Sequence, residues 1–427
     1  MVGVRGLARI LYSDVVTLTE EVTQIAYREG SMEINRYVNI IYGYRVNIDG
    51  CWRIVSSNDR NRDVLEKLKE RISVTPSNEC GELAEAELYK GKVDIGKDHI
   101  DVDEIVKMVY DLCSEAKGYN ITKCEQIVTL RTIHRSIERS NDDVAHELKR
   151  IAEVEIGLLG RSSYSLTSFS SNYKAMIIWN PKDVIKSIDL AFKEAVNKMS
   201  HMYMLKPLRP YLYGRTIVVL DYIASAALFH EISHLLDSTY GYGAKIVGYK
   251  LCSEEVEVYD EPHNIESPSI RFFDDEGVTV KKRSLIENGV VQDLHHTRST
   301  AKTSGSEPGS AYGLFHSPVP FHTTLVVKSG DWKYDEILGD TKKGFYINGV
   351  VVASLEEGFI KLVPEYGYTI QDGELKEAVK IREVKIPLSG LRNINAISKN
   401  TNIRMSYEKM WLVSEVAPMI RLEAYVQ

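Results

Sequence analysis

The 427-residue chain has no apolar run long enough to cross a membrane; stretches such as Thr216–Leu220 fall far short of the ~20 residues a span requires. Cysteine is scarce. Cys51, Cys80, Cys113, Cys124 and Cys252 form an odd, scattered set without a Cys-x-x-Cys pair, which predicts a reducing cytosol and no disulfide framework. Positive charge is not in excess: 53 Lys+Arg against 60 Asp+Glu give a net charge of −7 and a pI near 6.0. The broad positive field that nucleic acid or anionic lipid needs is therefore missing, so neither is expected as a partner. There is no phosphate-binding glycine loop, no Gly-x-Ser-x-Gly elbow and no dinucleotide fingerprint. The N-terminus is interrupted by Arg5 and Arg9 and does not read as a signal peptide, so a cytoplasmic protein is expected. What remains is an ordinary globular composition, 44% hydrophobic and 26% charged. At roughly 150 residues per unit, it suffices for two or three folded units.

Periodicity divides the chain. Tyr37–Tyr44 is rich in β-branched and aromatic residues, and Asp49-Gly50 supplies a turn before Trp52–Val55. Val64, Leu65, Leu68 and Ile72 recur at helical spacing, as do Ile105, Val109, Leu112 and Cys113. Gln126–Ser171 reads as strands with a turn at Ser140-Asn141-Asp142, although Asp143–Leu159 has a composition compatible with helix. Val184 to Met199 traces a helical face, and Pro207 and Pro210 then interrupt regular structure. The main boundary is placed there, giving units 1–208 and 209–427. Beyond it come a short strand at Thr216–Leu220, a helix over Ala224–Leu236, and β-structure with turn dipeptides at Asn288-Gly289, Asn348-Gly349 and Asp372-Gly373. Lys302–Gly313, rich in Gly, Ser and Pro, reads as a mobile loop.

One motif carries chemistry: His230-Glu231-Ile232-Ser233-His234, inside the predicted helix. Residues i and i+4 share a helix face, so His230 and His234 can converge on one Zn²⁺. Glu231 is placed to take a proton from a metal-bound water, whose pKa zinc brings towards ~7. The apolar flanks Ala226–Phe229 and Leu235-Leu236 would seat this helix against a core. The structural alternative is two histidines that are merely exposed or hydrogen-bonded.

On these residues the chain resembles the TldD/PmbA family, long called modulators of DNA gyrase, whose TldD-type members are metallopeptidases. The resemblance lies in Thr216–Asp237 (TIVVLDYIASAALFHEISHLLD) and Asp274–Ala301, with its acidic-Gly, LIENG and TA elements. It continues in Thr341–Tyr346, Glu357–Phe359 and Tyr368–Lys376, and is weaker in the N-terminal half, chiefly at Tyr42–Ser57. It implies a zinc (or other divalent metal) peptidase acting on short or unfolded peptides. It also implies a dimer, either with itself or with a PmbA-like subunit.

The chain departs from the family pattern in two ways. TldD-type sequences usually carry His-Glu-x-x-x-His, one residue longer than the motif here. Their third ligand is a cysteine near the C-terminus, but no cysteine follows Cys252 in this chain. Glu254 and Glu255, about twenty residues beyond the motif, are alternatives, as are Asp274, Asp275, Glu276, His295 and His296, each of these five more simply read as a solvated turn or hairpin residue. Cys252–Val258 alternates like a strand, and Cys252 itself reads as a buried apolar residue. No third ligand is assigned from sequence.

The expected fold is α+β: a mixed α/β N-terminal domain, then a mainly antiparallel β domain bearing the motif helix. The expected function is a zinc-dependent metallopeptidase, with His230 and His234 as metal ligands and Glu231 as general base. The missing cysteine motivates an alternative, a catalytically inactive PmbA-like partner or peptide-binding subunit of the same fold.

Overall fold

The computed structural model describes residues 9–427 except 62, 71–80, 98–99, 140–142, 162–166 and 240–242. The first half is built on long strands: β1 (Ile10–Arg28), β2 (Ser31–Ile48) and β3 (Cys51–Ser57) form consecutive hairpins. Glu29-Gly30 and Asp49-Gly50 close them with positive φ at both positions, the geometry whose twist matches paired strands. Next come α1 (Asp63–Glu70), β4 (Gly91–Ile95), α2 (Val102–Glu115), β5 (Ile121–Arg139), β6 (Val144–Gly160), β7 (Ser168–Ile177) and α3 (Pro181–Tyr203). Among the described residues the seven strands form one sheet, ordered β3-β2-β1-β5-β6-β4 with β7 also on β6. Only the β4–β6 pairing is parallel.

Helices α2 and α3 bury their apolar stripes on this sheet. Ile105, Val109, Val184, Ile188 and Phe192 meet Ile25, Val128, Val154 and Leu158. Asp101 and Asn180 cap the two helices through their side-chain oxygens, and Pro181 follows the second cap where its missing N–H costs nothing. The region 143–159 is strand rather than helix. Ile72 and the turn at Ser140-Asn141-Asp142 lie outside the described residues.

The cysteine expectation is corrected. Cys113 and Cys124 are joined by a disulfide. The chain reversal between α2 and β5 brings their Cα atoms to 5.5 Å, a proximity that a search for Cys-x-x-Cys does not detect. Cys51 is also disulfide-bonded, and Cys252 is a free, buried thiol. The argument from cysteine usage to a reducing cytosol thereby loses its premise.

The second half holds a mixed fourteen-stranded sheet among the described residues. It takes in β8 (Lys206–Pro207) and β9 (Gly214–Leu220), and α4 (Tyr222–Leu235) packs against it. At its centre lies the last strand, Trp411–Val426, paired with β9, with the penultimate strand Ala396–Glu408, and in parallel with Thr324–Val327. Asn288-Gly289 and Asp372-Gly373 close hairpins as expected. Asn348-Gly349 does not; the Gly349 N–H donates to Asp221 Oδ2 at 3.1 Å. Nor is Lys302–Gly313 free chain: its start lies in the helix Arg298–Ser304, and Ala311 and Gly313 N–H donate to Asp274 Oδ2 (3.0 Å) and Asp275 Oδ2 (2.8 Å).

The two sheets are joined by buried charge. Arg135 Nη1 reaches Asp275 Oδ1 at 2.5 Å, and Arg271 Nη2 reaches the same oxygen at 2.9 Å. Arg45, fully buried and paired with Asp14, donates to the Asp275 carbonyl at 2.7 Å. A buried carboxylate without such partners would cost several kcal/mol. Asp274–Glu276 is therefore a buried joint, and the expectation of a solvated turn is corrected.

Candidate metal centre

Helix α4 begins where Asp221 Oδ1 accepts the Ala224 N–H at 2.7 Å, a cap typically contributing ~1 kcal/mol. Its Ala-rich first turns favour helix, and it is buried on nearly every side, from Ala224 to Ser233 and at Leu235. Leu228, Phe229, Ile232 and Leu235 sit in the main core. A helix so enclosed gives its polar side chains no water, so His230, Glu231 and Ser233 must find partners within the protein.

They do. His230 and His234 lie one turn apart with ring centroids 5.3 Å from each other. Glu408, the last residue of the penultimate strand, faces both: its Oε2 is 3.7 Å from His230 Nε2 and 3.9 Å from His234 Nε2. Tetrahedral zinc with ~2.05 Å Zn–N bonds sets neighbouring donor atoms about 3.3–3.4 Å apart, so Glu408 needs to approach each imidazole by only about half an ångström or less. The expected imidazole pair is thus brought together, with a third candidate donor, Glu408, that sequence reasoning missed. One signal pointed there: the family resemblance implies a third ligand near the C-terminus, the region in which Glu408 lies.

Behind the triad lies a second layer. His230 Nδ1 is 2.7 Å from Glu415 Oε1, which is also 3.2 Å from His322 Nε2 and accepts from Ser406 Oγ at 3.0 Å. Arg404 Nη1 donates to Glu415 Oε2 at 2.8 Å. Burial pushes the His230 pKa down, but the Glu415 charge, the neighbouring Glu408 carboxylate and the hydrogen bond to Glu415 outweigh it, leaving the group at about 9. Burial and the His230 charge lower His234. The nearby His230, and after it His234, hold Glu408 below its ordinary value.

Glu231 is buried, and its Oε2 accepts the Leu355 N–H at 2.7 Å. Leu355 belongs to the strand Val352–Glu356, which among the described residues pairs only with Phe359–Val363.

None of the other sequence candidates joins the triad. Glu254 and Glu255 are exposed, and the predicted strand over Cys252–Val258 begins only at Val258. Burial pushes the Cys252 thiol up to about 12 within the core. Asp274, Asp275 and Glu276 lie at the joint between the sheets. His296 Nδ1 lies 3.2 Å from Thr300 Oγ1. His295 is fully buried beside Phe321 and His322.

Two imidazoles a helical turn apart and a carboxylate from a distant strand form a group that could hold a metal ion, with a second glutamate beside the first histidine. Residues 213–426 match the family model of the PmbA/TldA metallopeptidase C-terminal domain, and the chain belongs to the PmbA/TldD metallopeptidase family. It is 24% identical to a metalloprotease of Archaeoglobus fulgidus over 391 residues, 89% of this chain and 88% of that one. It is 26% identical over 429 residues to a metalloprotease of Methanocaldococcus jannaschii, covering 93% and 91% of the two chains. A shorter match, 26% over 135 residues and 30% of each chain, is to a zinc metalloprotease TldD homolog of Saccharolobus solfataricus. The fold is that of TldE from Thermococcus kodakarensis, with a TM-score of 0.74 at 18% identity over 97% of this chain and 96% of that one.

Proposed function

We propose that this chain is a zinc-dependent peptidase of TldD type, in which His230, His234 and Glu408 hold the ion and Glu231 is the general base. The observation that carries the reading is the convergence of Glu408 Oε2 on both motif imidazoles, which supplies an oxygen donor in place of the family's cysteine. Bound zinc would supply Lewis acidity and lower the pKa of water at the site. The Leu355 N–H anchors Glu231 Oε2, so the other carboxylate oxygen is the one we assign to taking a proton and returning it to the leaving amine. The substrates are short or unfolded peptides. An extended segment fits the unpaired edge of Val352–Glu356 by adding as a strand, with its scissile bond near Glu231.

Metal analysis of the purified protein and hydrolysis of a mixed peptide library test this reading. We expect close to one equivalent of zinc, cleavage by the native chain, and none by Glu231→Ala, which keeps the metal. Less than about a tenth of an equivalent after growth with zinc would reject it in favour of a non-catalytic subunit.

We infer further that the protein assembles with a second chain of this fold, identical or PmbA-like. Strand β2 supports this: among the described residues Ser31–Ile40 has no partner strand on the side away from β1, and Ile34, Val38 and Ile40 are 45%, 59% and 40% exposed. Unpaired apolar edges of this kind are ordinarily covered. Sedimentation velocity should show a species near twice the 48.4 kDa chain mass, or the monomer alone until a PmbA-like chain is added. Ile34→Lys/Val38→Lys should abolish that association; an unchanged profile would place the contact elsewhere. No helix among the described residues is long and apolar enough to cross a membrane.

A further inference from the structure

We propose that Glu415 is a positioning residue for the metal centre, fixing the tautomer and orientation of His230; the inference rests on the metal reading above. An imidazole can present only one nitrogen to an ion while the other carries a proton. In this chain the choice is made by the last strand. Glu415 is fully buried, and its Oε1 lies 2.7 Å from His230 Nδ1. A carboxylate there accepts the Nδ1 proton and leaves the Nε2 lone pair facing Glu408 and His234.

The other contacts of Glu415 keep it in that role. Arg404 Nη1, 2.8 Å from Oε2, supplies the counter-charge, so the carboxylate stays ionised without taking a proton from His230. Ser406 Oγ donates to Oε1 at 3.0 Å, and His322 Nε2 lies 3.2 Å from the same oxygen. His322 is itself oriented, because Ser233 Oγ lies 2.8 Å from its Nδ1. Ser233 is three residues beyond His230 on α4, so the path His230–Glu415–His322–Ser233 leaves the helix, passes through the last strand and the segment preceding Thr324–Val327, and returns one turn later. The closed path ties the rotation of α4 to the sheet, and with it the direction of the His230 ring.

His230, His322 and Glu415 also bring three donor atoms close enough for an ion. The arrangement favours hydrogen bonding instead. The 2.7 Å contact is that of an N–H to a carboxylate, shorter than the ~3.3 Å between neighbouring zinc ligands, and Arg404 adds a cation to the same group. Carboxylate support of a ligating histidine typically changes metal affinity 10–100-fold.

Cobalt(II) uptake by the whole chain tests this, measured by chelator competition and by the visible d–d spectrum. Glu415→Gln should bind cobalt roughly 10–100-fold more weakly with an altered spectrum, and Glu415→Asp, which keeps the charge, should recover part of the loss. A folded Glu415→Gln protein with native affinity and spectrum would overturn the inference while leaving the metal site intact. If the native chain takes up no cobalt, the metal reading fails first and this one with it. Should Glu415→Gln not fold, nitrogen-15 histidine spectra of the native cadmium-113 form decide: coupling of the metal to His230 Nε2 with a protonated Nδ1 supports the role, and coupling to Nδ1 refutes it.

Discussion

Glu408 and His230 face each other across the gap between the last hairpin and α4, Oε2 to Nε2 at 3.7 Å. Glu408 stands beside the turn Lys409-Met410, where Lys409 has a φ of 56° and Met410 is 85% exposed. The proposed site therefore takes one ligand from a hairpin tip and two from an enclosed helix. If Glu408 completes the site, Glu408→Ala should weaken zinc binding by more than about a hundred-fold, beyond the effect of losing an outer partner. Glu408→Cys should restore much of it and give the cobalt form a thiolate charge-transfer band. Unchanged zinc affinity in Glu408→Ala would remove this residue from the site.

Metal uptake should depend on pH with a definite sign. In the metal-free protein His230 is held at about 9, chiefly against burial by the Glu415 charge, so at pH 7 its ring carries both protons. A metal can take Nε2 only after one of them leaves. His234 lies below its ordinary 6.5 and adds no proton of its own at pH 7. Apparent affinity should therefore rise about tenfold per pH unit between pH 7 and 9. Isothermal titration at pH 7.5 in two buffers of different ionisation enthalpy should report close to one proton released per ion. A value near zero would refute the bridged imidazolium.

What could be read from sequence was local. The helical character of Ala224–Leu236 anticipated α4, the His-Glu-x-x-His spacing put two rings on one face, and Asp49-Gly50 and Asp372-Gly373 marked real hairpins. What could not be read depends on strand register. Glu415 is 185 residues from His230 in the chain and reaches it only because the last strand runs under α4. Glu408, Ser406 and Arg404 alternate along one strand, a pattern shared by any half-exposed hairpin. Asp274–Glu276 looked like a solvated turn because its arginine partners lie far away in sequence; Arg135 is 140 residues from Asp275. Asn348-Gly349 has turn chemistry, but its glycine N–H serves the α4 cap instead.

The buried joint makes its own prediction. Burial, and then the Asp274 charge, push Glu276 from 4.5 up to about 8, while its Oε2 accepts the Arg298 N–H at 2.6 Å. Between those values the native state holds a proton that the unfolded chain has lost. The native state thus binds more protons, and stability falls as pH rises through this window, by up to about 1.4 kcal/mol per unit for one group. Glu276→Gln, which cannot ionise, should lose less stability than the native chain between pH 5 and pH 8 in urea unfolding. Parallel slopes for the two proteins would show that Glu276 ionises freely in the fold.

The disulfide predicts a stability effect separable from the metal site. Cys113 and Cys124 lie 11 residues apart and tie the end of α2 to the start of β5, on the sheet that carries no metal-site residue. Closing so short a loop removes unfolded-state freedom equivalent to about 3 kcal/mol. Both side chains are small and buried, so Cys113→Ala/Cys124→Ala loses the link with little volume change. The double variant should unfold at a clearly lower urea concentration while binding cobalt as the native chain does. An unmoved midpoint would mean the bond adds nothing to this fold; weakened cobalt binding would mean the two sheets communicate, for which the buried contacts of Arg135 and Arg45 with Asp275 offer a route.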